Sequence, residues 1–182
     1  DILGEPGVGA DAECIALLAE ALKECGLGEG EFEVRISDRK LWNAFFDGID
    51  IKDKDKAAMF SIVDKWERES GDKILAKLAE FGVGYSPPDI IRSVNAFFAS
   101  AEKEGLDGFK TLIGSEAWTN RGKEIEELNN QLNLLGVAAF LRFAHRVVRG
   151  LAYYTGFVFE AYQTVGTARA LAGGGRYDDL LM

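Results

Sequence analysis

Histidine is almost absent from this chain: His145 is the only one in 182 residues. Cysteine is nearly as scarce, with Cys14 and Cys25 alone, so no cluster of His and Cys exists to ligate zinc. The two cysteines fall on one predicted helix about three turns apart, too far for a disulfide with each other. They read as small buried hydrophobes in a reducing cytosol. No apolar run approaches the roughly 18 residues that a membrane-spanning helix needs. The opening Asp1-Ile2-Leu3-Gly4 has neither the basic region nor the apolar stretch of a signal peptide. Together these absences point to a cytoplasmic protein without membrane partners. A start at Asp1 and a stop at Leu180-Leu181-Met182 predict a natural protein that continues past both ends. Positive charge is also short, with 21 Lys and Arg against 30 Asp and Glu, a net charge of -9. Nucleic-acid phosphates demand a positive surface, so this stretch is not expected to bind nucleic acid by itself.

What is present is ordinary globular material, 47% hydrophobic and 28% charged, long enough for one or two domains. Glu13 to Cys25 repeats apolar residues at helical spacing (Ile15, Leu18, Ala19, Leu22) and stops at Gly26. Phe32-Glu33-Val34-Arg35-Ile36 alternates like a half-buried strand, and Ser37 is placed to cap a helix through Leu41, Trp42, Phe45 and Phe46. From about Gly48 to Gly136 the pattern is helical throughout. Met59, Ile62, Val63 and Trp66 form one stripe, Ile74, Leu75, Leu78 and Phe81 another. Ser86-Pro87-Pro88-Asp89 reads as a helix start, while Gly105 to Gly108 and Gly114 to Thr119 read as breaks. A last helix is predicted over 121–135. Ala138 to Phe143, Phe157 to Tyr162 and Ala168 to Leu171 then read as strands. The division is therefore 1–48, an α/β part; 49–136, a helical block inserted into it; and 137–182, strands again.

Two segments carry chemistry. Arg149-Gly150-Leu151-Ala152-Tyr153-Tyr154-Thr155-Gly156 is followed at short range by Gly173-Gly174-Gly175-Arg176-Tyr177-Asp178. On an extended segment Tyr153 and Tyr154 point to opposite faces, and a buried Tyr hydroxyl needs a partner that a ligand can supply. Three glycines at a strand end weaken the strand, and the usual return is close approach of a ligand to bare backbone. Arg176 and Tyr177 stand ready to close over that space. From the residues alone, two readings stay open: an anion or small-molecule site between strands, and a sheet edge with tyrosines packed for area. His145 reads as packing or hydrogen-bonding beside a strand.

These two segments resemble the histidine-recognition motifs of histidyl-tRNA synthetases, Arg-Gly-Leu-Asp-Tyr-Tyr-Thr-Gly and Gly-Gly-Gly-Arg-Tyr-Asp. Only Ala152, where the family usually has Asp, departs from them. Asp1-Ile2-Leu3-Gly4, Ala10 to Cys14 and Val34 to Arg39 are similar to the family's segments upstream, and the helical block stands where the family has an insertion domain. The resemblance implies an α+β fold: part of a class II synthetase antiparallel-sheet catalytic domain, interrupted by an all-helical insertion domain. It also implies roles. Arg149 matches the catalytic arginine that contacts the α-phosphate of ATP. Tyr154 matches the tyrosine that hydrogen-bonds the substrate imidazole, with Tyr153 beside it and Tyr177 as a second pocket tyrosine. Gly173, Gly174 and Gly175 flank the amino acid, and Asp1 stands where an acidic residue meets its α-amino group. The implied substrates are histidine, ATP with Mg²⁺, and tRNA(His), in a homodimeric parent.

The sequence contains neither the family's motif 1, motif 2 and motif 3 regions nor an anticodon-binding domain, so the chain alone is expected not to aminoacylate tRNA. The alternative is the synthetase-like regulatory subunit of ATP phosphoribosyltransferase, which binds histidine without ligating it. Arg149 favours the ligase, since a sensor has no adenylation transition state to stabilise.

Overall fold

A computed structural model describes residues 1–82, 84–104, 113, 115–149, 153–165 and 169–180. Helix α1 (Val8–Glu24) buries Ala12, Ile15, Ala16 and Ala19 along one stripe. It starts ahead of the predicted Glu13 because its N-cap is Gly7, which offers no side-chain capping signal. It ends where Gly26 turns left-handed at φ +93° and Leu27 N–H returns to the Leu22 carbonyl, 3.2 Å. Both cysteines are free thiols; Cys14 is half-buried, whereas Cys25 at the helix end is exposed, contrary to its expected burial.

Strand β1 (Phe32–Asp38) runs two residues beyond the alternating segment, so Ser37 is buried inside the strand. The cap of α2 (Arg39–Gly48) is therefore Asp38, whose carboxylate accepts from Lys40 N–H at 3.0 Å. Among the described residues the middle segment forms α3 (Asp53–Val63), α4 (Gly71–Ala79), α5 (Pro87–Glu104) and α6 (Ser115–Leu134), following its apolar pattern. Helix α6 begins at Ser115, so residues 115–119, read as a break, are helical. Trp118 in that turn packs against the core, a tertiary contact that outweighs the weak local signal. Gly105 to Gly108 and Gly114 lie outside the described residues.

The last strands are β2 (Leu141–Phe143), β3 (Phe157–Gln163) and β4 (Ala170–Gly175). The predicted strand at Ala138 is instead a short 3₁₀ turn over Ala138–Phe140 that feeds β2. Strand order is β2-β1-β3-β4; β1 pairs antiparallel with β3, and β3 with β4, whereas β2 joins β1 in parallel. The sheet of this α+β fold is thus mixed rather than wholly antiparallel.

One face of β3 (Phe157, Phe159, Ala161) joins Ile15 of α1 and Ile125, Leu128 and Leu132 of α6 in a core that runs on into the helical segment. Its densest part is aromatic: the Phe97 ring lies 4.4 Å from Trp42 and 4.3 Å from Phe45, centroid to centroid. Full burial of each such ring contributes about 1.5–3 kcal/mol. A buried ion pair locks α6 to the sheet. Arg121 donates from Nη2 to Asp38 at 2.9 Å, and its guanidinium lies 4.1 Å from the Phe157 ring centroid.

Candidate active site

The register of β3 and β4 brings the two motif segments together. Val158 stands opposite Gly175, Phe159 opposite Gly174, and Glu160 opposite Gly173. Beyond the strand ends the pairing continues: Thr155 N–H donates to the Arg176 carbonyl and Arg176 N–H to the Phe157 carbonyl, both 2.8 Å. The Thr155 hydroxyl then donates to Asp178 at 2.7 Å.

A cavity of about 990 Å³ opens beside this junction. Asp1, Tyr153, Tyr154, Gly173, Gly174, Gly175 and Tyr177, all predicted site residues, line it. Tyr154 is 8% exposed and Tyr153 39%, one inward and one outward as predicted. Yet their rings sit 4.7 Å apart, because Tyr153 occupies a turn rather than a strand. Burial, with the Tyr153 hydroxyl beside it, raises the Tyr154 pKa above 10, so its phenol stays protonated. Gly150, Leu151 and Ala152 lie outside the described residues.

The space beside the three glycines is taken by the protein's own side chains. A methyl group on Gly174 would strike the Phe159 ring at 2.8 Å, and one on Gly175 the Tyr154 ring at 2.8 Å. One on Gly173 would overlap the Arg149 guanidinium. The glycines therefore set Arg149, Tyr154 and Phe159 against bare backbone, and the cavity lies alongside.

Arg149 does not reach the cavity wall. Its guanidinium lies behind Tyr154, 5.6 Å from the ring centroid, and Nη1 donates to Glu160 at 2.9 Å. Glu160 also accepts from the Tyr162 hydroxyl, and burial followed by this carboxylate pushes the Tyr162 pKa well up. Arg149 sits at φ +47°, left-handed backbone that costs a non-glycine residue on the order of 1 kcal/mol.

Sequence reasoning missed the opposite wall. Arg176 lines the cavity and at the same time clasps the N-terminal segment to the sheet. Its Nη2 donates to Asp11 at 2.6 Å and to the Gly7 carbonyl at 2.8 Å, and Nη1 donates to Asp178 at 3.1 Å. Hydrogen bonding to Asp11 raises the Arg176 pKa, while burial pushes the Asp11 carboxyl upward. One signal pointed to Asp11: it is an acid one turn ahead of Ile15 on the apolar stripe of α1. His145 is buried, 6.5 Å from the Phe97 ring and away from the cavity lining.

Fold and site define an α+β protein with a cavity at a glycine-rich strand end. The chain belongs to the histidyl-tRNA synthetase family, whose family model matches residues 1–182. A histidine–tRNA ligase from Opitutus terrae is 38% identical over 183 residues, which is 100% of this chain and 41% of that protein. A solved histidyl-tRNA synthetase from a Nostoc species superposes with a TM-score of 0.75 at 25% identity, over 97% of this chain and 42% of that one. A Bacillus halodurans structure, described as an ATP phosphoribosyltransferase regulatory subunit/histidyl-tRNA synthetase, gives 0.75 at 27% identity over 98% and 45%. The chain thus spans about two fifths of the curated relatives' length (41% in two of them).

Proposed function

We propose that this chain is the histidine-recognition part of a class II histidine–tRNA ligase, in which histidine attacks ATP and is then passed to tRNA(His). The observation that carries the reading is the convergence of Asp1, both tyrosines, the three glycines and Tyr177 on one cavity of about 990 Å³. That volume is at the upper end for small-molecule sites, enough for an amino acid with part of a nucleotide.

In this reading the hydroxyl of the buried Tyr154, protonated, donates to or accepts from the substrate imidazole, and Tyr177 closes the same side. The Asp1 carboxylate meets the α-ammonium group. A histidine carboxylate oxygen attacks the α-phosphorus of ATP, the bond to the bridging oxygen breaks, and pyrophosphate leaves. Charge gathers on the α-phosphate oxygens during that step. Glu160 engages Nη1 of Arg149 behind Tyr154; in this reading the side chain turns past that ring when ATP binds, and the remaining N–H groups of its planar guanidinium bridge two phosphate oxygens. A terminal hydroxyl of tRNA then attacks the acyl carbon, and AMP leaves. Among the described residues no three His, Cys, Asp or Glu side chains gather to hold a metal. The Mg²⁺ expected with ATP would be held chiefly by phosphate oxygens, and its part would be to neutralise phosphate charge. The working enzyme is a cytoplasmic homodimer. Among the described residues no helix is long and apolar enough to cross a membrane.

The test is histidine-dependent ATP–pyrophosphate exchange by the full-length protein, with other amino acids as controls. Exchange specific to histidine is expected. Arg149→Ala should lower it at least ~100-fold while calorimetric histidine binding largely survives. Histidine binding with no exchange in the wild type would move the reading to the regulatory subunit. Equal loss of binding and exchange in the variant would count against the role given to Arg149.

A further inference from the structure

Arg39 is an almost fully buried cation that the reaction above does not use. As the first residue of α2 it meets both ends of the motif that starts at Arg149. Its backbone N–H donates to the Gly156 carbonyl at 3.0 Å. Its Nη1 donates to the Arg149 carbonyl at 3.2 Å and faces the Val148 carbonyl at 3.5 Å. The guanidinium lies over Phe60 of α3, its Cζ 3.5 Å from the ring centroid. One turn along α2, Trp42 Nε1 donates to the His145 carbonyl at 3.0 Å. The first turn of α2 thus holds the backbone that leads into Arg149, and its Arg39 N–H also holds the backbone that leaves the motif.

Why Arg149 needs such a hold follows from its backbone. At φ +47° it stands in a conformation that an arginine does not favour. The direction of its side chain depends on that conformation, and a relaxed backbone would swing the guanidinium off Gly173 and Glu160. A charged donor on the residue's own carbonyl opposes that relaxation. Burial lowers the Arg39 pKa only to about 10, so the donor stays charged at neutral pH.

We propose that Arg39 is a positioning residue for Arg149: it clamps both ends of the 149–156 segment and, through Phe60, ties α3 to the placement of the catalytic arginine. Its kinetic consequence rests on the ligase reading; the clamp itself does not.

The experiment uses the full-length protein with Arg39→Met, which keeps the apolar stem and the backbone N–H to Gly156 but removes the side-chain donors to the Val148 and Arg149 carbonyls. Pyrophosphate exchange should lose ~10- to 100-fold in kcat, the scale of a misplaced reacting group, with the KM for histidine within about twofold. Arg39→Lys, which restores charge and a donor without the planar fork, should recover part of the loss. In an Arg149→Ala background, Arg39→Met should cost nothing further. Hydrogen exchange of peptides covering 144–156 should accelerate in Arg39→Met. If that variant does not fold, Phe60→Leu should show the same split more mildly. Additive losses with Arg149→Ala, or unchanged kcat and unchanged protection, would overturn the proposal. If the wild type shows no histidine-dependent exchange, the ligase reading fails by itself. The clamp then stands or falls on protection of 144–156 in Arg39→Met.

Discussion

A methyl group on Gly175 would meet the Phe157 carbonyl oxygen and the Tyr154 ring, both at 2.8 Å. Backbone oxygen cannot move cheaply, and the ring can move only by leaving its packed position. Gly175→Ala is therefore expected to destabilise the chain by about 1–3 kcal/mol. If the proposed reading holds, it should also weaken histidine binding, since Tyr154 is displaced. Urea denaturation and calorimetry read the two effects separately, and a variant normal in both would remove the reason given for this glycine. His145 supplies a different kind of prediction. Burial lowers its pKa to about 3, against 6.5 for a free imidazole. Below pH 6.5 the unfolded chain gains a proton that the folded chain refuses. The stability held by the neutral ring is complete above pH 6.5 and drains away toward pH 3, at about 1.4 kcal/mol per pH unit. Urea titrations of the chain at pH 7, 6 and 5 should show this slope, and His145→Leu should flatten it. Equal slopes in the two proteins would assign the acid sensitivity to other groups.

Among the elements, β1, α2 and α6 meet at Asp38. This buried carboxylate caps α2 through Lys40 N–H at 3.0 Å and takes Nη2 of Arg121 at 2.9 Å. Removing one partner strands the other charge in the core, so Arg121→Met should cost about 3–5 kcal/mol. Pairing it with Asp38→Asn, which keeps a capping oxygen and removes the charge, should cost less than Arg121→Met alone. A double variant worse than the single would show that the pair is not what links these elements. Asp38 also shows what the sequence hides. Alternation revealed β1, an apolar and aromatic run revealed β3, which is buried on both faces over Phe157–Phe159, and apolar stripes revealed the helices. The end of β1 was not legible: Ser37 and Asp38 are both capping residues, and sheet pairing out to Asp38↔Phe157 decides between them. β2 shrinks to three residues because only those pair with β1. For the site, the tyrosines and glycines announced themselves by composition. Its supports did not, since Asp11 lies 165 residues from Arg176 and Arg39 lies 110 from Arg149. No local pattern carries a contact of that span.

For the molecule as a whole, charge decides what this segment can do toward tRNA. The net charge is -9, and many of its cations are engaged by acids of the same chain. Lys56 bridges Asp47 and Asp53, Lys77 holds Glu69, and Arg146 holds Glu67. Arg149 and Arg176 are committed to Glu160 and Asp11 beside the cavity. Binding to a phosphate backbone gains its free energy by releasing condensed counterions, which requires cations free to face the phosphates. A surface of intramolecular pairs within a negative field releases few. The 182-residue chain is therefore expected to bind tRNA(His) no more tightly than the roughly 10⁻⁴–10⁻⁶ M of non-specific association, even at low salt. Fluorescence titration of labelled tRNA at two salt concentrations reads this directly. If the full-length protein binds with a steep salt dependence and the chain does not, the tRNA contacts lie in the remainder of the protein. Tight, salt-sensitive binding by the chain alone would instead require a local basic surface strong enough to override its overall charge.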